Sequence, residues 1–514
     1  MFSNYAISLL FFALLFSQFG ISQSVFLDPS FGDNGVTIDT IGTYADEINS
    51  ILIQPDDKII AAGYSRTGFV NSDFALVRYN TDGTRDVSFG TNGEVITSIQ
   101  PKSRGNSLSL QDDNKILLVG SSSQAINLVR YNSNGSLDTS FGNNGIVITE
   151  MVNFYDQSCK SISLQQDGKI IVGGSAVSNG PDIPHHFVFR YLPNGDLDSS
   201  FATNGIAMEN YEYGKAVTIQ QDGKILIAGI KNLEFHVSRY TVDGILDNTF
   251  GVGGKVSVDM LTIGTSEANI VRVQTDGKIV LGGRSSVLVG GFPKNKFCLA
   301  RLESNGDLDM TFGTNGRVVS DVSSNYSSEI NALILDPSGK ILSIGRNVGD
   351  STVGYILMRY LADGSVDNSF GINGTIVSPY SFSSGNSVDV QSDEKIVVGG
   401  HFYSDSITNY NFAVARFNPA QVSLDESACN GCPVNGFDIY PNPWGTSTKL
   451  RFKHPITEGK ILLKDLYGKP VRTIHNVNGS ELMLERSNLP SGVYFVSLID
   501  SNGTHEVTER VVIL

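Results

Sequence analysis

The chain has 514 residues, with 37 lysines and arginines against 52 aspartates and glutamates, so its formal net charge is −15. This balance argues against a nucleic-acid-binding protein, which needs a basic surface to displace counterions from phosphate. Hydrophobic residues make up 40% of the chain, enough for a large core, and four cysteines are too few for a scaffold built from disulfides.

The N-terminal segment has the features of an export signal. Residues 1–23 carry no charged side chain, and the stretch from Ala6 to Phe16 is largely apolar but too short to span a bilayer. We predict that residues 1–23 are a signal peptide cut near Gln23, with a buried N-terminal helix as the alternative. No later stretch holds 18 consecutive apolar residues, so we expect no transmembrane helix.

Three short motifs recur in fixed order through most of the chain. They are LDxSFG, DGKI and RYNxDG, each in seven copies spaced about 57 residues apart, which indicates a repeat architecture. The phenylalanine of the first motif marks the copies at Phe31, Phe89, Phe141, Phe201, Phe250, Phe312 and Phe370.

Each copy has the pattern of four short strands. In the third copy these are Gly145–Thr149, Ser158–Gln165, Lys169–Gly173 and Phe187–Tyr191, rich in β-branched residues and bounded by glycine. Asp167-Gly168 between the second and third strands predicts a two-residue type I′ turn, in which both residues need positive φ.

Seven sets of four antiparallel strands predict an all-β fold, a seven-bladed β-propeller over residues 24–421. The alternative is an open β-solenoid, although its strands would run parallel and the predicted hairpins contradict that. The sequence leaves two arrangements open. Either the strand near Val36 completes the last blade, or every blade is continuous in the chain.

The repeat segment resembles the delta-60 repeat family of bacterial surface and secreted proteins, a predicted β-propeller repeat. The resemblance rests on LDxSFG, DGKI and RYNxDG in order over residues 27–419, and it implies the fold without implying an activity. Departures from the motifs are few, such as Ala202 in place of the last glycine of LDxSFG and Arg85 in place of its first leucine.

The repeated polar residues are predicted to be structural. Seven identical aspartates of LDxSFG around a ring do not form one active site, and a partly buried carboxylate needs a partner. We therefore expect each aspartate to cap a turn or to pair with the arginine of RYN, in preference to binding a metal. The repeated phenylalanine is expected in the core between blades, and the lysine of DGKI in solvent.

Strand parity predicts two different faces. In an antiparallel blade, the Asp-Gly turns and the RYNxDGxLDxSFG connections fall on one face, and these connections are uniform. The other face carries connections that vary in length, among them Ser121–Ile126, Arg284–Phe297 and His401–Asn411. Variation confined to one face of a repeat array predicts the binding side.

Aromatic residues recur in the loops of this variable side. The candidates for ligand binding are Tyr44, Tyr155, Tyr211, Tyr213, Tyr326, Tyr380 and Phe382. Aromatic platforms with few charges suit glycan or peptide recognition. The alternative is that these rings pack between blades.

No motif of a known catalytic or cofactor site is present, so we predict no catalytic residue, no cofactor and no metal. His185 and His186 are adjacent and would point in different directions from an extended chain, which argues against a shared metal ion. Cys159 and Cys298 lie in strand-like runs and are predicted to be buried free thiols.

The composition changes after residue 421. Residues 422–436 read as a linker, whose Cys429 and Cys432 form either a local disulfide or two free thiols. Residues 437–514 alternate short apolar strands with turns, and their length predicts a small Ig-like β-sandwich.

This tail resembles the type A C-terminal sorting domain of type IX secretion. The matching residues include Tyr440, Pro441, Asn442, Pro443, Gly468, Lys469, Gly492 and Tyr494. The resemblance implies entry into the periplasm, export across the outer membrane by the type IX secretion machinery, and a location at the cell surface or outside the cell. An ordinary Ig-like adhesive module is the alternative.

Two functions from different classes remain. The first is a secreted or surface, non-enzymatic propeller that binds a glycan, peptide or protein through its variable face. The second is a secreted hydrolase or lyase with its site at the central channel. The second would require histidines or acidic residues from different blades to meet at one mouth.

Overall fold

A computed structural model describes residues 26–513 apart from 67, 69–70, 124, 263, 290, 323–326, 349–353, 379–382, 407–408, 419–436, 441–445, 465–469, 488, 491 and 500–505. The chain divides into two compact units, Met1–Leu424 and Asp425–Leu514. The predicted signal peptide and the predicted linker with Cys429 and Cys432 lie outside the described residues.

The first unit is a propeller of seven four-stranded antiparallel sheets, which confirms the predicted fold. The chain opens with β1 (Val36–Asp39). Blades one to three are β2 (Asp46–Ile53), β3 (Ile59–Arg66), β4 (Ser72–Tyr79), β5 (Glu94–Thr97); β6 (Arg104–Leu110), β7 (Ile116–Ser121), β8 (Ile126–Tyr131), β9 (Ile146–Thr149); and β10 (Phe154–Leu164), β11 (Ile170–Ser178), β12 (Pro184–Tyr191), β13 (Ile206–Asn210).

Blades four to six follow the same order, and blade seven supplies three strands. They are β14 (Tyr213–Ile219), β15 (Ile225–Lys231), β16 (Glu234–Tyr240), β17 (Lys255–Val258); β18 (Ser266–Val273), β19 (Ile279–Val289), β20 (Phe292–Leu302), β21 (Arg317–Ser320); β22 (Ser327–Leu335), β23 (Ile341–Val348), β24 (Tyr355–Tyr360), β25 (Thr375–Val377); and β26 (Ser383–Val390), β27 (Ile396–Ser406), β28 (Asn409–Phe417).

The ring is closed by the N-terminal strand. β1 pairs antiparallel with β28, with Val36 opposite Ala415, and so becomes the outermost strand of blade seven. The junction with blade one is bonded as well, because the Asn386 side chain donates to the carbonyl of Ile48 at 2.8 Å. This decides between the two arrangements that the sequence left open. Six blades are continuous in the chain, and the seventh combines strands from the two ends of the propeller.

The turn between the first two strands of each blade differs from the prediction. Gln165 and Lys169 pair, and the Gly168 N–H donates to the carbonyl of Gln165, so the loop has three residues. Gly168 has positive φ, at 80°, whereas Asp167 does not. The predicted type I′ turn is therefore wrong, and the geometry is that of a tight turn followed by one left-handed residue, which suits the twist of a hairpin equally well.

An arginine, an aspartate and a phenylalanine form the same cluster in every blade. Arg130 Nε lies 2.7 Å from Asp138 Oδ2, and its guanidinium lies 4.4 Å from the Phe141 ring centroid. The seven ion pairs are Arg416–Asp28, Arg78–Asp86, Arg130–Asp138, Arg190–Asp198, Arg239–Asp247, Arg301–Asp309 and Arg359–Asp367. The predicted pairing is confirmed, and all seven phenylalanines are fully buried.

The cluster also joins neighbouring blades. Arg130 donates to the carbonyl of Pro193 in the next blade at 2.6 Å, and the Gly142 N–H donates to the carbonyl of Asn194 at 2.8 Å. Equivalent arginine bonds reach Ser133, Val242, Ser304, Ala362 and Thr81. One side chain therefore fixes the turn of its own blade and the position of the next.

The repeated lysine has a larger role than the sequence suggested. Lys58 Nζ lies 2.8 Å from Asp86 Oδ2, the same oxygen that Arg78 contacts. Equivalent contacts to the repeated aspartate involve Lys115, Lys224, Lys278, Lys340 and Lys395. The expectation of a solvated lysine was wrong for these blades, because a long side chain can reach back over the turn to a carboxylate that is otherwise buried.

The second unit is a five-stranded sheet that bends around its own core. Its strands are β29 (Phe437–Tyr440), β30 (Ser447–Lys464), β31 (Pro470–Glu485), β32 (Gly492–Ile499) and β33 (Glu506–Ile513). The first part of β30 pairs with β29 and its last part with β32, with register shifts between Arg451 and Ile461. A strand that changes partners through bulges forms the corner of a sandwich, consistent with the predicted Ig-like fold.

The buried ion pair of blade two provides a test of the inter-blade cluster. Burial opposes the ionisation of Asp138, but hydrogen bonds from Ser140 and the charges of Arg130 and Lys115 lower its pKa from 3.8 to about 2. Asp138→Asn should lower the free energy of unfolding by about 3 kcal/mol, because Arg130 would lose its buried counter-charge. Urea denaturation of the full chain followed by circular dichroism measures this.

The same experiment has two controls, a pH series and a second variant. Because the folded-state pKa is below the unfolded-state value, the ionised carboxylate stabilises the fold above about pH 4, and the stabilisation disappears as pH falls through about 2. The difference between wild type and Asp138→Asn should vanish over that range. Asp222→Asn, at an exposed turn aspartate, should change little; an unchanged midpoint for Asp138→Asn would contradict the role given to the cluster.

Ala202 offers a second test, of backbone conformation. It stands where the other repeats have glycine and adopts a φ of 44°, in the left-handed region that L-residues avoid. Ala202→Gly should raise the free energy of unfolding by about 1 kcal/mol, since the steric cost is removed and only part of it is offset by a more flexible unfolded chain. The reverse change at an equivalent site, Gly142→Ala, should destabilise; a lower melting temperature for Ala202→Gly would contradict the explanation.

Candidate functional site

The two faces of the propeller differ as the strand parity predicts. The turn face carries the DGKI turns and the RYNxDGxLDxSFG connections, which hold the inter-blade clusters. The variable face carries the hairpin loops between the second and third strands and the connections between blades. Part of the predicted loop variation is in fact strand: Arg284 pairs with Phe297, and His401 with Phe412. The hairpins therefore differ in length of paired strand as well as in loop length.

The structure places the predicted aromatic residues in three groups. Tyr155, Tyr211 and Tyr213 are 45%, 62% and 41% exposed. Tyr155 and Tyr213 lie at the start of β10 and β14, and Tyr211 lies in the connection between blades three and four. Tyr44 is half-buried. Tyr326, Tyr380 and Phe382 lie outside the described residues. The rings of the first group face solvent on the variable face, and their role in binding stays a prediction.

Three further apolar side chains, which sequence reasoning missed, are exposed on the same face. Val152, Leu233 and Leu261 are 79%, 59% and 72% exposed, each in a loop or connection of the variable face around blades three and four. We call the six residues Val152, Tyr155, Tyr211, Tyr213, Leu233 and Leu261 the apolar arc. Hydrophobic periodicity cannot find such residues, because they lie outside the alternating pattern of the strands. For Leu233, the sequence signal that could have found it is its place after an asparagine in a very short hairpin loop.

The backbone at three residues of the arc is unusual. Tyr211, Leu233 and Leu261 have φ values of 63°, 68° and 55°, where a bulky residue is rarely found. Each is held by a hydrogen bond of 2.7 or 2.8 Å. The Tyr211 N–H donates to the carbonyl of Pro184, the Leu261 N–H to Asp259 Oδ1, and the Leu233 carbonyl accepts from the Ser266 N–H. Strain of this kind persists where surrounding structure enforces it, and it often accompanies a functional surface.

Tyr155 is oriented by a neighbouring loop. Its hydroxyl donates to Asp182 Oδ1 at 3.0 Å, and the Asn179 N–H donates to the carbonyl of Asn153 at 2.8 Å. The bond to Asp182 raises the pKa of Tyr155, and the nearby Tyr213 raises it further. The two tyrosines of successive connections are therefore neighbours, and the ring of Tyr155 is held in place.

Glu212 lies between the two exposed tyrosines and is itself fully buried. Its Oε2 is 2.9 Å from His186 Nδ1 and 3.1 Å from His236 Nε2, and its Oε1 is 2.6 Å from Lys231 Nζ and 2.9 Å from Lys255 Nζ. Burial alone would raise its pKa, but the hydrogen bonds from His186 and His236 outweigh burial and hold the pKa well below its ordinary range. We call these five residues the Glu212 cluster.

The Glu212 cluster is a clamp between blades three and four. His186 lies on β12, whereas Lys231, His236 and Lys255 belong to blade four. Both carboxylate oxygens are occupied by donors and no part of Glu212 reaches solvent, so it is unsuited to act as a general base. Its position fixes the segment that carries Tyr211 and Tyr213. No sequence motif reveals it, because its members come from strands far apart in the chain.

The central channel is lined by the innermost strands. Asparagine side chains form hydrogen bonds between neighbouring innermost strands. Each innermost strand has a bulge, and in five blades an asparagine at the bulge donates to the next blade, as when Asn106 donates to the carbonyl of Cys159 at 2.6 Å. Equivalent bonds come from Asn49, Asn269, Asn331 and Asn386. Blades three and four have Lys160 and Lys215 at this position.

The acidic residues near the channel are also paired. Arg284 lies 2.8 Å from Glu267 and 3.0 Å from Glu329, and Tyr64 donates to Glu47 at 2.6 Å. Within the described part of the chain, no group of three or more His, Cys, Asp or Glu side chains is arranged to hold a metal ion. Cys159 and Cys298 are buried free thiols, as predicted.

The residues of the predicted sorting signal fall partly within the described tail. Tyr494 is buried in the core, and its hydroxyl donates to the carbonyl of Pro490 at 3.0 Å. Tyr440 ends β29 and Gly492 begins β32. Pro441, Asn442, Pro443, Gly468 and Lys469 lie outside the described residues. The motif around Tyr494 therefore fixes a turn as well as a core ring.

Glu212→Gln tests the clamp. It should lower the free energy of unfolding by about 3 kcal/mol and increase hydrogen exchange across residues 209–213, since two half-buried lysines would face a neutral amide. Glu234→Gln, at the first residue of β16, is the matched control and should change neither quantity. Unaltered exchange in Glu212→Gln would contradict the clamp.

Comparison with known families identifies both parts of the chain. The model of a domain of unknown function (DUF5122) beta-propeller matches seven times, at residues 54–89, 111–141, 165–201, 220–250, 274–312, 337–370 and 391–427. The model of a secretion system C-terminal sorting domain matches residues 438–514. A search of curated proteins found no significant match.

Solved structures with a similar arrangement are distant in sequence. PorZ of Porphyromonas gingivalis, a surface component of its type IX secretion system, is 11% identical over 89% of this chain and 68% of its own, with a TM-score of 0.29. A Lactobacillus plantarum protein is 9% identical over 83% and 99%, with a TM-score of 0.42. Prolyl oligopeptidase B of Galerina marginata is 14% identical over 80% and 54%, with a TM-score of 0.34. Likenesses of this size carry no argument about activity.

The matched tail settles the destination of the protein. A type IX sorting domain directs export to the cell surface or the extracellular space. In the described part of the chain, no helix has the length and apolar character needed to cross a membrane.

Proposed function

Because the chain carries seven DUF5122 β-propeller repeats and a type IX secretion sorting domain, we propose that it is a non-enzymatic binding protein of the cell surface or extracellular space. The ligand is a glycan, a peptide or another protein outside the cell. It binds on the variable face, at the apolar arc of blades three and four.

Exposed apolar side chains occur on both faces, but on the variable face three of them, Tyr211, Leu233 and Leu261, also have a backbone of positive φ, and this combination is the observation that carries the proposal. Tyr211 and Leu261 are more than half exposed although their backbone is held in the left-handed region. A soluble protein gains nothing in stability from such residues, since glycine would fit the backbone at lower cost. Contiguous exposed apolar surface commonly marks an interaction site.

The rigidity of the arc supports the same conclusion. The ion pairs of the Glu212 cluster fix the backbone between Tyr211 and Tyr213, and a hydrogen bond to Asp182 fixes the Tyr155 ring. A binding surface whose side chains are already ordered loses less conformational entropy when its ligand binds. The tyrosine side chains of the arc are thus preorganised for binding.

The alternative of a channel hydrolase or lyase receives less support. It requires free acidic residues or histidines at the channel mouth, but Glu267 and Glu329 are paired with Arg284. Glu47 of blade one and His401 of blade seven meet at 3.6 Å, but Glu47 also accepts hydrogen bonds from Tyr64 and Asn386. The Glu212 cluster unites two histidines and a carboxylate from two blades, and its carboxylate is closed to solvent.

Binding by the arc can be tested with two ligand libraries. The full chain would be screened on a glycan array and against a random-peptide phage library, beside the variant Tyr155→Ala/Tyr211→Ala/Tyr213→Ala. Loss of three exposed anchors should weaken a captured ligand at least about a hundredfold, since each aromatic hot spot contributes 1 kcal/mol or more.

The matched control is Val87→Ala/Ile245→Ala/Met310→Ala, which removes three exposed apolar side chains from the turn face. It should retain every ligand. If neither library yields a ligand that the tyrosine variant loses and the control keeps, the proposed function is wrong.

A further inference from the structure

We infer that the apolar arc binds a protein segment in which apolar side chains are flanked by lysine or arginine, in preference to a carbohydrate. The inference rests on the proposed function and specifies its ligand. Two independent features lead to it: the aliphatic character of half of the arc, and the charge of the loops that surround it.

The side chains of the arc offer little to a sugar. The side chains of Val152, Leu233 and Leu261 have no polar atom with which to bond a hydroxyl group, yet each is more than half exposed. The Tyr155 hydroxyl is already bonded to Asp182. Apolar knobs beside tyrosine rings match instead the core of a protein–protein interface, where aromatic anchors meet apolar side chains of the partner.

The loops around the arc are acidic. Residues 150–156, 179–183, 209–213, 231–234 and 259–262 contain seven acidic residues and one basic residue. The acidic ones are Glu150, Asp156, Asp182, Glu209, Glu212, Glu234 and Asp259. The single base, Lys231, is paired with Glu212 at 2.6 Å, so it does not offset the exposed carboxylates.

Four nearby cations do not reverse this field, and one of them, Arg317, donates to the carbonyl of Asp259 at 2.7 Å. Lys255 is held by Glu209 at 2.8 Å and by Glu212 at 2.9 Å, and Lys215 on the innermost strand pairs with Glu267. Lys160 lies on the channel-lining strand. Glu150 and Asp156, by contrast, are exposed on the connection that carries Val152 and Tyr155. An acidic rim around an apolar centre attracts a partner with the complementary arrangement and disfavours an acidic one.

The composition of selected peptides tests the inference. Phage panning on the full chain should enrich peptides that combine apolar residues with lysine or arginine. A synthetic peptide from the enriched set, measured by fluorescence anisotropy, should bind Glu150→Gln/Asp156→Asn about fivefold more weakly than wild type, and raised salt should weaken wild-type binding further. Asparagine tolerates the positive φ of Asp156.

Asp222→Asn/Asp276→Asn, at exposed aspartates of the turn face, is the charge-matched control and should bind as wild type does. Glycan binding that depends on the arc, without arc-dependent peptides, would overturn this inference and leave the proposed binding function intact. Enrichment of acidic peptides, or equal affinity for Glu150→Gln/Asp156→Asn, would also overturn it. A failure of both libraries would reject the proposed function itself.

Discussion

In the described part of the chain, six blades are each fastened to the next by one arginine side chain that has three partners. Arg130 pairs with Asp138, lies over the ring of Phe141, and donates to the carbonyl of Pro193 in the following blade. The guanidinium is planar and its donors point in fixed directions, so these contacts together set the angle between two sheets. The ring closes because the last arginine does the same: Arg416 reaches the carbonyl of Thr81 in blade one.

This use of the turn face explains why the variable face is free to differ. The aspartate, arginine, phenylalanine and turn glycine of the inter-blade cluster all belong to connections on one side of the ring, where a change in length would break the contacts. Loops on the opposite side carry none of these contacts. Their sequence can therefore serve recognition at little cost to the fold, which is the usual division between a scaffold and its binding loops.

Blades three and four depart from the repeat at several points at once. The asparagine of the innermost-strand bulge is replaced by Lys160 and Lys215, the Glu212 cluster spans the junction, and the apolar arc lies above it. A buried carboxylate with four nitrogen donors is costly to desolvate and does not improve on apolar packing for stability alone. We ascribe to Glu212 a role in positioning, because it fixes the segment that carries Tyr211 and Tyr213.

The sequence by itself determined the parts of this protein that depend on local repetition. Spacing and resemblance predicted three features: the repeated phenylalanine, of which Phe141 is one; the repeated ion pair, such as that of Asp138 with Arg130; and the sorting motif around Tyr494. Each is built from residues close in the chain. The tertiary structure decided the rest. The pairing of β1 with β28 and the meeting of His186, Glu212 and Lys255 depend on contacts between residues far apart in the chain. Those are set only when the ring closes and brings distant strands side by side.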